Sequence, residues 1–282
     1  MSDRNWNEWV GRTRISLDHA DLLRASALQA TLESPEQPLR EGDPLPELWH
    51  WIYFWDIAPM AGLGYDGHPA KGDFLPPIDL PRRMWAGSRL RFLEPIVIGA
   101  EITRRSEIGS VAEKTGRSGR LAFVTVKHVV ECEGRISVEE EHDIVYRAPE
   151  SGDGPARPLE PAPGDRLWTR ELTAGPVMLF RYSALTFNGH RIHYDQPFSV
   201  EREGYDGLIV HGPLLATLMV DLARRNANGR RIARFAFRAK RPVLADQPFT
   251  ISGEPERDEA RLSVGDAEGA LAMDGEVTFS AP

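Results

Sequence analysis

Hydrophobic and polar positions alternate along two stretches of this chain, one on each side of a break rich in proline and glycine. In the first stretch the alternating segments are 88–92, 101–108, 111–115, 121–131 and 135–146. In the second stretch they are 233–238, 248–254, 260–265 and 269–280. A side-chain period of two is expected where one face of a strand is buried. The pattern therefore predicts two successive groups of antiparallel strands.

A helical segment precedes each group of strands. In the first half it lies near Asp18 to Thr31 and leads into the aromatic run Leu48 to Trp55. In the second half the loop-rich segment Tyr182 to Tyr205 precedes a mostly apolar helix, Gly212 to Arg225. A helix followed by antiparallel strands predicts a helix wrapped by one sheet, and two such units can pair their sheet edges. We predict an α+β fold with two long helices, each wrapped by antiparallel strands of one continuous sheet.

The break between the halves runs from Ala148 to Gly164 and contains many Pro, Gly and acidic residues. Such a segment is typical of a linker. The predicted organisation is a first domain over 1–148, a linker over 149–166 and a second domain over 167–282. The segments 92–99 and 238–246 share one pattern, namely a strand, charged residues, a proline, two or three aliphatic residues and a turn. This short repeat, which we call the echo, indicates an internal duplication.

Composition narrows the class of protein. Of the 282 residues, 41% are hydrophobic and 27% charged, with a net charge of -8, which argues against a nucleic-acid binder. No apolar run approaches the length of a membrane span, and the N-terminus lacks a signal pattern. The single cysteine, Cys132, lies in a predicted strand, where a packed side chain is expected. We therefore predict a cytoplasmic enzyme or binding protein.

Titratable side chains concentrate in the second half. Between Tyr182 and Pro197 the sequence contains His190 and His193 among residues that disfavour regular structure. The segment His211-Gly212-Pro213 is typical of a helix start. The helix would offer free backbone N–H groups and a positive dipole end next to Gly212, which suits the oxygen of a thioester becoming an enolate.

These two segments together resemble the MaoC-like, (R)-specific enoyl-CoA hydratase family. The matching residues are Asn188, His190-Arg191-Ile192, His193, Asp195 and Val210-His211-Gly212. The segment Phe74 to Phe92 is in addition similar to one in mesaconyl-C4-CoA hydratases and the related mitochondrial-type 3-hydroxyacyl-thioester dehydratases. The resemblance implies a double hotdog whose second half is catalytic and whose first half has a degenerate helix and shapes the acyl pocket.

The resemblance also implies the roles of individual residues. The catalytic histidine falls on His193, the oxyanion-hole glycine on Gly212, and the family's catalytic aspartate on Asn188, which cannot exchange a proton at neutral pH. Asp195, His190, His211 and Arg191 are then possible supporting residues. The implied reaction is reversible hydration of an enoyl-CoA, favouring a short branched dicarboxylyl-CoA such as mesaconyl-C4-CoA, without a metal or redox cofactor. A homodimer is the expected assembly.

Several residues have two interpretations. His190 and His193, with His211 or Asp195, could be metal ligands, or either could be structural. Asp66 and His68 lie in a glycine-rich loop that either folds over a pocket or lies on the surface. The aromatic run is either a lining of the acyl tunnel or part of the core.

Two groups of arginines are candidates for binding the anionic parts of an acyl-CoA. Arg82 and Arg83 either grip a phosphate or substrate carboxylate or form a surface turn. Arg224 and Arg225 belong to a basic interval between Asp221 and Asp246, which is either a site for the CoA phosphates or a charged outer face.

Three other functions remain open from the sequence. A 3-hydroxyacyl-thioester dehydratase of longer chains is the nearest one. A hotdog thioesterase would need a carboxylate near the helix start, where the chain has Gly-Pro-Leu-Leu-Ala-Thr. A non-catalytic acyl-CoA-binding subunit would explain Asn188 at the aspartate position.

Overall fold

The computed structural model describes residues 6–116, 119–148, 159–164 and 166–280. In this part of the chain ten strands form a single antiparallel sheet. The first half contributes β1 Thr13–His19, β2 Arg82–Phe92, β3 Glu101–Gly116, β4 Gly119–Cys132 and β5 Arg135–Arg147. The second half contributes β6 Trp168–Thr173, β7 Ile232–Ala239, β8 Pro248–Glu256, β9 Glu259–Gly265 and β10 Leu271–Phe279. The α-helices are α1 Leu22–Thr31, α2 Pro176–Thr186 and α3 Gly212–Arg225.

The sheet consists of two equivalent halves joined in the middle. From the centre outward, the strand order is β2-β5-β4-β3-β1 on one side and β7-β10-β9-β8-β6 on the other. At the centre β2 pairs with β7, from Gly87 opposite Arg238 to Arg91 opposite Arg234. A Cβ atom on Gly87 would lie 2.3 Å from the Phe237 carbonyl oxygen, so glycine permits this close junction. The predictions of an α+β double hotdog and of one continuous sheet are confirmed.

The echo found in the sequence occupies equivalent places in the two halves. Each copy follows the central strand of its half and returns along the segment that precedes the central helix or its counterpart. In the first half Val97 pairs with Pro44, and in the second half Leu244 pairs with Ile209. The repeated Pro-aliphatic pattern therefore marks the same return of the chain in both halves.

Helix α3 is the central helix of the second half. All ten residues from Leu214 to Ala223 are buried, which agrees with the apolar pattern of this segment. The helix belongs to a hydrophobic core that also includes Leu28, Trp49 and Leu90 of the first half. Each fully buried Leu or Met contributes about 1.5–3 kcal/mol, so the shared core holds both halves together.

The helix predicted near Asp18 to Thr31 is present as the ten-residue α1. The described residues of the first half contain no long central helix, so the prediction of two long helices, each wrapped by strands, is wrong in this respect. The counterpart of α3 is the short 3₁₀ turn Trp49–Ile52. Leu48 and Phe54 adopt positive φ values of 70° and 59°, which end helical geometry on both sides of the turn. The degenerate helix implied by the resemblance is therefore present, and the aromatic run is largely core: Trp49, Ile52, Tyr53 and Phe54 are buried.

Two features of the second half differ from the sequence-based expectation. The start of the segment predicted as loop-rich is helical, because α2 continues to Thr186, whose hydroxyl donates to the Tyr182 carbonyl. The strands β1 and β6 were not predicted. Both lie at the outer edges of the sheet, where only one neighbour pairs with each of them.

The remaining predictions on organisation concern the linker, Cys132 and membrane spans. Residues 149–158 and 165 of the predicted linker lie outside the described residues, and the domain boundaries stay predictions. Cys132 is buried in β4, as expected. None of the helices in the described ranges has the length and hydropathy required to cross a membrane.

Candidate active site

A cavity of about 340 Å³ opens where the two halves meet. Its wall contains residues of the loop 65–68, of β2 and β5 from the first half, and of the segment 188–193 and the start of α3 from the second half. The volume lies at the small end of the range typical of ligand pockets, about 300–1,000 Å³. The cavity therefore suits a short acyl group.

His193 lies on the cavity wall at the end of the 3₁₀ turn Arg191–His193 and is only 7% exposed. Its Nδ1 lies 2.7 Å from the carbonyl oxygen of Ile209. A carbonyl can only accept, so Nδ1 carries the proton and Nε2 has a free lone pair. Burial, and then the neighbouring His190, lower the pKa of His193 to about 3, partly opposed by the bond to Ile209. His193 is therefore neutral at physiological pH and can act as a base.

His211 holds the ring of His193 in place from behind. The two rings stack with centroids 3.6 Å apart and an interplanar angle of 18°. The Nε2 atom of His211 lies 2.8 Å from the Ser183 hydroxyl on α2, and the residue is fully buried. Burial lowers the pKa of His211 well below its ordinary value. His211 therefore packs against the ring of His193, and its supporting role stays a prediction.

The N-terminus of α3 faces the same cavity. Gly212 and Pro213 line the wall, and apart from the chain neighbours and the nearby helix backbone no atom lies within 4 Å of the position that a Cβ of Gly212 would occupy. The first N–H groups of a helix have no partner within the helix and carry the positive end of its dipole. A negatively charged oxygen held here would thus be stabilised, as the sequence predicts for Gly212.

Asn188 also lines the cavity, directly after α2. Phe187, at the end of the helix, has a φ of 50°, and the chain turns there toward the cavity. The side-chain oxygen of Asn188 accepts the backbone N–H of His190 at 3.0 Å. The amide oxygen is therefore engaged with the loop itself.

A loop of the first half completes the wall next to these residues. Asp66 and His68 both line the cavity, which favours the pocket interpretation of their glycine-rich loop. The loop is bound to the second half by the N–H of Arg191, which donates to the Asp66 carbonyl at 2.9 Å. The guanidinium of Arg191 donates to the Tyr65 carbonyl at 3.0 Å. The site is thus built from both halves of the chain.

Comparisons with known proteins identify the family of this chain. Residues 48–245 match the family model described as hydroxyacyl-thioester dehydratase type 2. The chain belongs to this family.

Individual members and structures extend the comparison. The mesaconyl-C(4)-CoA hydratase of Chloroflexus aurantiacus is 44% identical over 277 residues, 98% of this chain and 99% of that protein. A MaoC-like dehydratase from Phytophthora capsici has a TM-score of 0.70 at 15% identity, over 97% of this chain and 96% of that one. A Mycobacterium tuberculosis protein described as a double hotdog has a TM-score of 0.60 at 13% identity, over 96% of each chain. The two structures establish likeness of fold.

In this member of the hydroxyacyl-thioester dehydratase type 2 family, Asp195 and Arg191 form an ion pair with each other. Arg191 Nη2 lies 2.8 Å from Asp195, and the backbone N–H of Phe198 donates to the same carboxylate. Both contacts lower the pKa of Asp195. Neither residue lines the cavity that contains His193. The pair fixes the loop that carries His193, and a direct supporting role for it stays a prediction.

Arg224 and Arg225 lie far from the cavity. They are at the C-terminal end of α3, about 20 Å along a 14-residue helix from Gly212. Both form ion pairs with the buried Asp221, at 2.8 Å and 2.7 Å, and Arg224 also pairs with Glu36. Asp221 also pairs with Arg170, so the two carboxylates compensate these arginines only in part. The role of Arg224 and Arg225 in binding CoA stays a prediction.

The two arginines at the start of β2 differ in their partners. Arg82 forms an ion pair with the buried Glu203 at 3.1 Å. Arg83 lines the cavity, and no carboxylate lies within 4.0 Å of it in the described ranges. Burial, and then the charge of Arg83, lower the pKa of His190 to about 4. Arg83 therefore places a positive charge without a direct carboxylate partner next to the histidines of the site.

Some cavity residues were not found from the sequence. His142 and Ile144 of β5 lie on the wall, as do Trp85 of β2 and Tyr205. The period of two along β5 shows that residues 142 and 144 share a face, but not that this face meets a cavity. Only the pairing of the two halves brings them to the site.

Glycine at position 67 allows the first-half loop to approach the second half. Gly67 has a φ of 88°, and a Cβ there would lie 2.0 Å from the Gly189 carbonyl oxygen. We expect Gly67→Ala to displace the loop and lower kcat/KM at least about tenfold, at a cost of about 1–3 kcal/mol in stability. Steady-state kinetics and thermal unfolding measure the two effects.

Gly72→Ala is the matched control for this prediction. Gly72 has a φ of 103°, but a Cβ there would meet only Pro77 at 3.5 Å, an ordinary contact. This variant should lose stability through backbone strain while keeping its activity. Equal activity of the two variants would show that the approach of the loop is unimportant.

Proposed function

We propose that this chain reversibly adds water across the C2–C3 double bond of a short enoyl-CoA that carries a free carboxylate in addition to its thioester. Mesaconyl-C4-CoA is the first candidate. The observation that carries this proposal is Arg83, which lies on the wall of the cavity that contains His193 and Gly212 and has no carboxylate within 4.0 Å in the described ranges. A free carboxylate on the acyl group would pair directly with this guanidinium. The 44% identity to a mesaconyl-C(4)-CoA hydratase supports the same substrate.

The proposed chemistry needs one base and one oxyanion site. The Nε2 atom of His193 accepts a proton from water as the water oxygen bonds to C3. The electrons of the double bond move to the thioester oxygen, which the N–H of Gly212 and the helix dipole stabilise. The protonated His193 then gives the proton to C2. Because one ring handles the same proton in both steps, hydroxyl and hydrogen add to the same face.

The cavity beside the active site offers a path for the CoA moiety. A second cavity shares Tyr65, Pro81, Arg82 and Glu203 with the first and has Arg191 and Arg202 on its wall. Phosphate groups bind arginine side chains of this kind. We propose that the CoA chain enters here, at the opposite end of α3 from Arg224 and Arg225.

Hydration of a substrate series tests the function. The loss of enoyl-thioester absorbance is followed with mesaconyl-C4-CoA, with 3-methylcrotonyl-CoA, in which a methyl group replaces the carboxylate, with crotonyl-CoA and with a longer enoyl-CoA. We expect mesaconyl-C4-CoA to have the highest kcat/KM. A preference for the longer chain would support the 3-hydroxyacyl-thioester dehydratase activity that the family description names. Release of free thiol without hydration would instead support a thioesterase.

Arg83→Gln tests the proposed carboxylate contact. Leaving a buried carboxylate without its cation costs about 2–5 kcal/mol, so we expect kcat/KM for mesaconyl-C4-CoA to fall about 30-fold or more. The value for 3-methylcrotonyl-CoA should stay the same or rise. The matched control is Arg120→Gln, because Arg120 is an arginine of β4 that pairs with Asp79 and Glu113 outside the cavity. A parallel loss for both substrates in Arg83→Gln would contradict the contact.

The proposed reaction uses no metal and no redox cofactor, since the proton and the oxyanion are both handled by groups of the protein.

A cytoplasmic location and a homodimer stay predictions. Size-exclusion chromatography with light scattering would measure the oligomeric state directly.

A further inference from the structure

Asp66 is a buried carboxylate without a cationic partner. It is 8% exposed, and within the described ranges no Lys, Arg or His nitrogen forms an ion pair with it within 4.0 Å. Its Oδ1 accepts the backbone N–H of His68 at 3.1 Å, which fixes the carboxylate on the cavity wall. Buried carboxylates are ordinarily paired with a cation. An unpaired one in a cavity is typical of a functional group.

Two neutral histidines, His68 and His190, connect the carboxylate of Asp66 to His193, the base of the proposed reaction. Possible ligand atoms of Asp66, His68 and His190 all lie within 4.8 Å of one another. The ring of His190 is 4.3 Å from that of His68 and 5.4 Å from that of His193. Burial, and then the charge of Arg83, lower the pKa values of both His68 and His190. Asp66 is thus the anionic group of this cluster, close to the base of the proposed reaction.

The attacking water needs a second acceptor, and a carboxylate suits this role better than the amide of Asn188. Water donates two hydrogen bonds, and only one of its protons goes to Nε2 of His193. The resemblance puts the family's carboxylate at Asn188, where the amide oxygen uses one of its two lone pairs to accept the His190 N–H. Hydrogen bonds to a charged acceptor are stronger than those to a neutral amide oxygen. A carboxylate on the cavity wall is therefore the stronger acceptor for the water.

We propose that Asp66, supplied by the first half of the chain, is the catalytic residue that holds and orients the attacking water. This inference rests on the proposed function. The carboxylate accepts one O–H bond of the water, which stays intact and becomes the hydroxyl of the product. The other O–H bond breaks as its proton moves to His193 and the oxygen bonds to C3. In the reverse direction Asp66 holds the departing hydroxyl while His193 returns the proton to it.

Asp66→Asn separates this role from a structural one when two reactions are compared. Hydration of mesaconyl-C4-CoA needs the oriented water, and we expect its kcat to fall at least about a hundredfold. Exchange of the C2 protons with D₂O in the saturated thioester of the same acid needs only His193 and the helix start. We expect that exchange, followed by mass spectrometry, to stay within about threefold of the wild type.

Two control variants are measured together with Asp66→Asn. His193→Ala should lose both reactions. Asp73→Asn, a change to a carboxylate on the same loop whose side chain is 85% exposed, should keep both. Hydration by Asp66→Asn within about threefold of the wild type would overturn the inference. So would an equal loss of both reactions, because it would mean that Asp66 supports the fold of the site.

The failure of the proposed function would be recognised separately. A wild-type chain that hydrates no enoyl-CoA overturns that function and this inference with it. Hydration by the wild type that survives in Asp66→Asn overturns the inference alone. The two outcomes differ already in the wild-type rate.

The same cluster has the donor types that bind a divalent cation, namely two histidines and a carboxylate. The charge of Arg83 beside His68 and His190 disfavours a second cation there, which is why we favour water. Wild-type hydration should thus be unaffected by EDTA and by added Zn²⁺ or Mn²⁺. Activity that EDTA abolishes and either metal restores in the wild type, but not in Asp66→Asn, would overturn the inference in favour of a metal site.

Discussion

His193→Ala is expected to lower kcat for hydration of mesaconyl-C4-CoA by about a hundredfold to ten-thousandfold. The variant removes an imidazole whose Nδ1 is fixed by the Ile209 carbonyl and whose Nε2 is free to accept a proton. KM should change little, because the ring contributes to moving a proton rather than to binding the CoA moiety. The measurement is the steady-state loss of enoyl-thioester absorbance.

The neutral state of His193 also predicts how this activity depends on pH. A base whose pKa lies near 3 stays unprotonated between pH 8 and pH 6. The His193-dependent rate should therefore not fall between pH 8 and pH 6. His19→Ala, which changes an exposed histidine in β1, is the matched control and should behave as the wild type. A variant His193→Ala with wild-type kcat would refute the assignment of the base.

The second large expected effect is loss of stability in mild acid. Six of the eight histidines have lowered pKa values, with burial as the first cause in each: His68, His128, His142, His190, His193 and His211. In the unfolded chain each histidine has a pKa of about 6.5. The unfolded state therefore binds more protons below that pH, and stability falls as the pH falls from about 6.5 toward about 4.

The size of this effect follows from the individual shifts. His142 and His190 have a pKa of about 4, and His128 and His193 of about 3. One unit is worth about 1.4 kcal/mol, so a few such groups are comparable to a typical stability of about 5–15 kcal/mol. We expect the free energy of unfolding in urea to decrease steeply between pH 6.5 and pH 4.5.

Carboxylates with lowered pKa values, such as Asp18 and Asp143, contribute only at lower pH. The slope between pH 6.5 and pH 4.5 thus reports the number of histidines that take up a proton on unfolding. We expect it to correspond to about three or more protons. A free energy of unfolding that is independent of pH in this range would show that the histidines are not held neutral.

The repeated pattern of the sequence was enough to predict the architecture. Alternation within the strands and the equivalent places of 92–99 and 238–246 predicted two units that share one sheet. The motif residues predicted the second-half side of the site, because His193 and Gly212 are close to each other through a short connection. Such local signals can be read from a single sequence.

What the sequence could not provide are contacts between distant segments. Asp66 is more than a hundred residues from His193, and the approach of Gly67 to Gly189, together with the hydrogen bonds of Arg191, brings its loop to the cavity. The neutral state of the histidines in the site depends on burial, which residue identity does not reveal. Arg224 and Arg225 look like a binding patch in sequence because their partner Asp221 precedes the basic interval, one helical turn away.

The helix predicted in the first half near Asp18 to Thr31 is present as α1, but the sequence did not show that the central position of α3 is taken by a short turn in this half. Trp49, Trp51 and Tyr53 are large apolar residues whose spacing does not separate a core turn from a helix. The positive φ of Leu48 depends on packing and not on the local propensity of leucine. Trp49 and Tyr53 belong to the same hydrophobic core as α3.

The most direct test of the central claim is incubation of the wild-type chain with mesaconyl-C4-CoA, followed by absorbance and mass spectrometry. The account predicts loss of the enoyl-thioester absorbance together with a thioester product that is heavier by one water molecule. Unchanged mesaconyl-C4-CoA, or its cleavage to free CoA and acid, would contradict a hydratase site at His193 and Gly212.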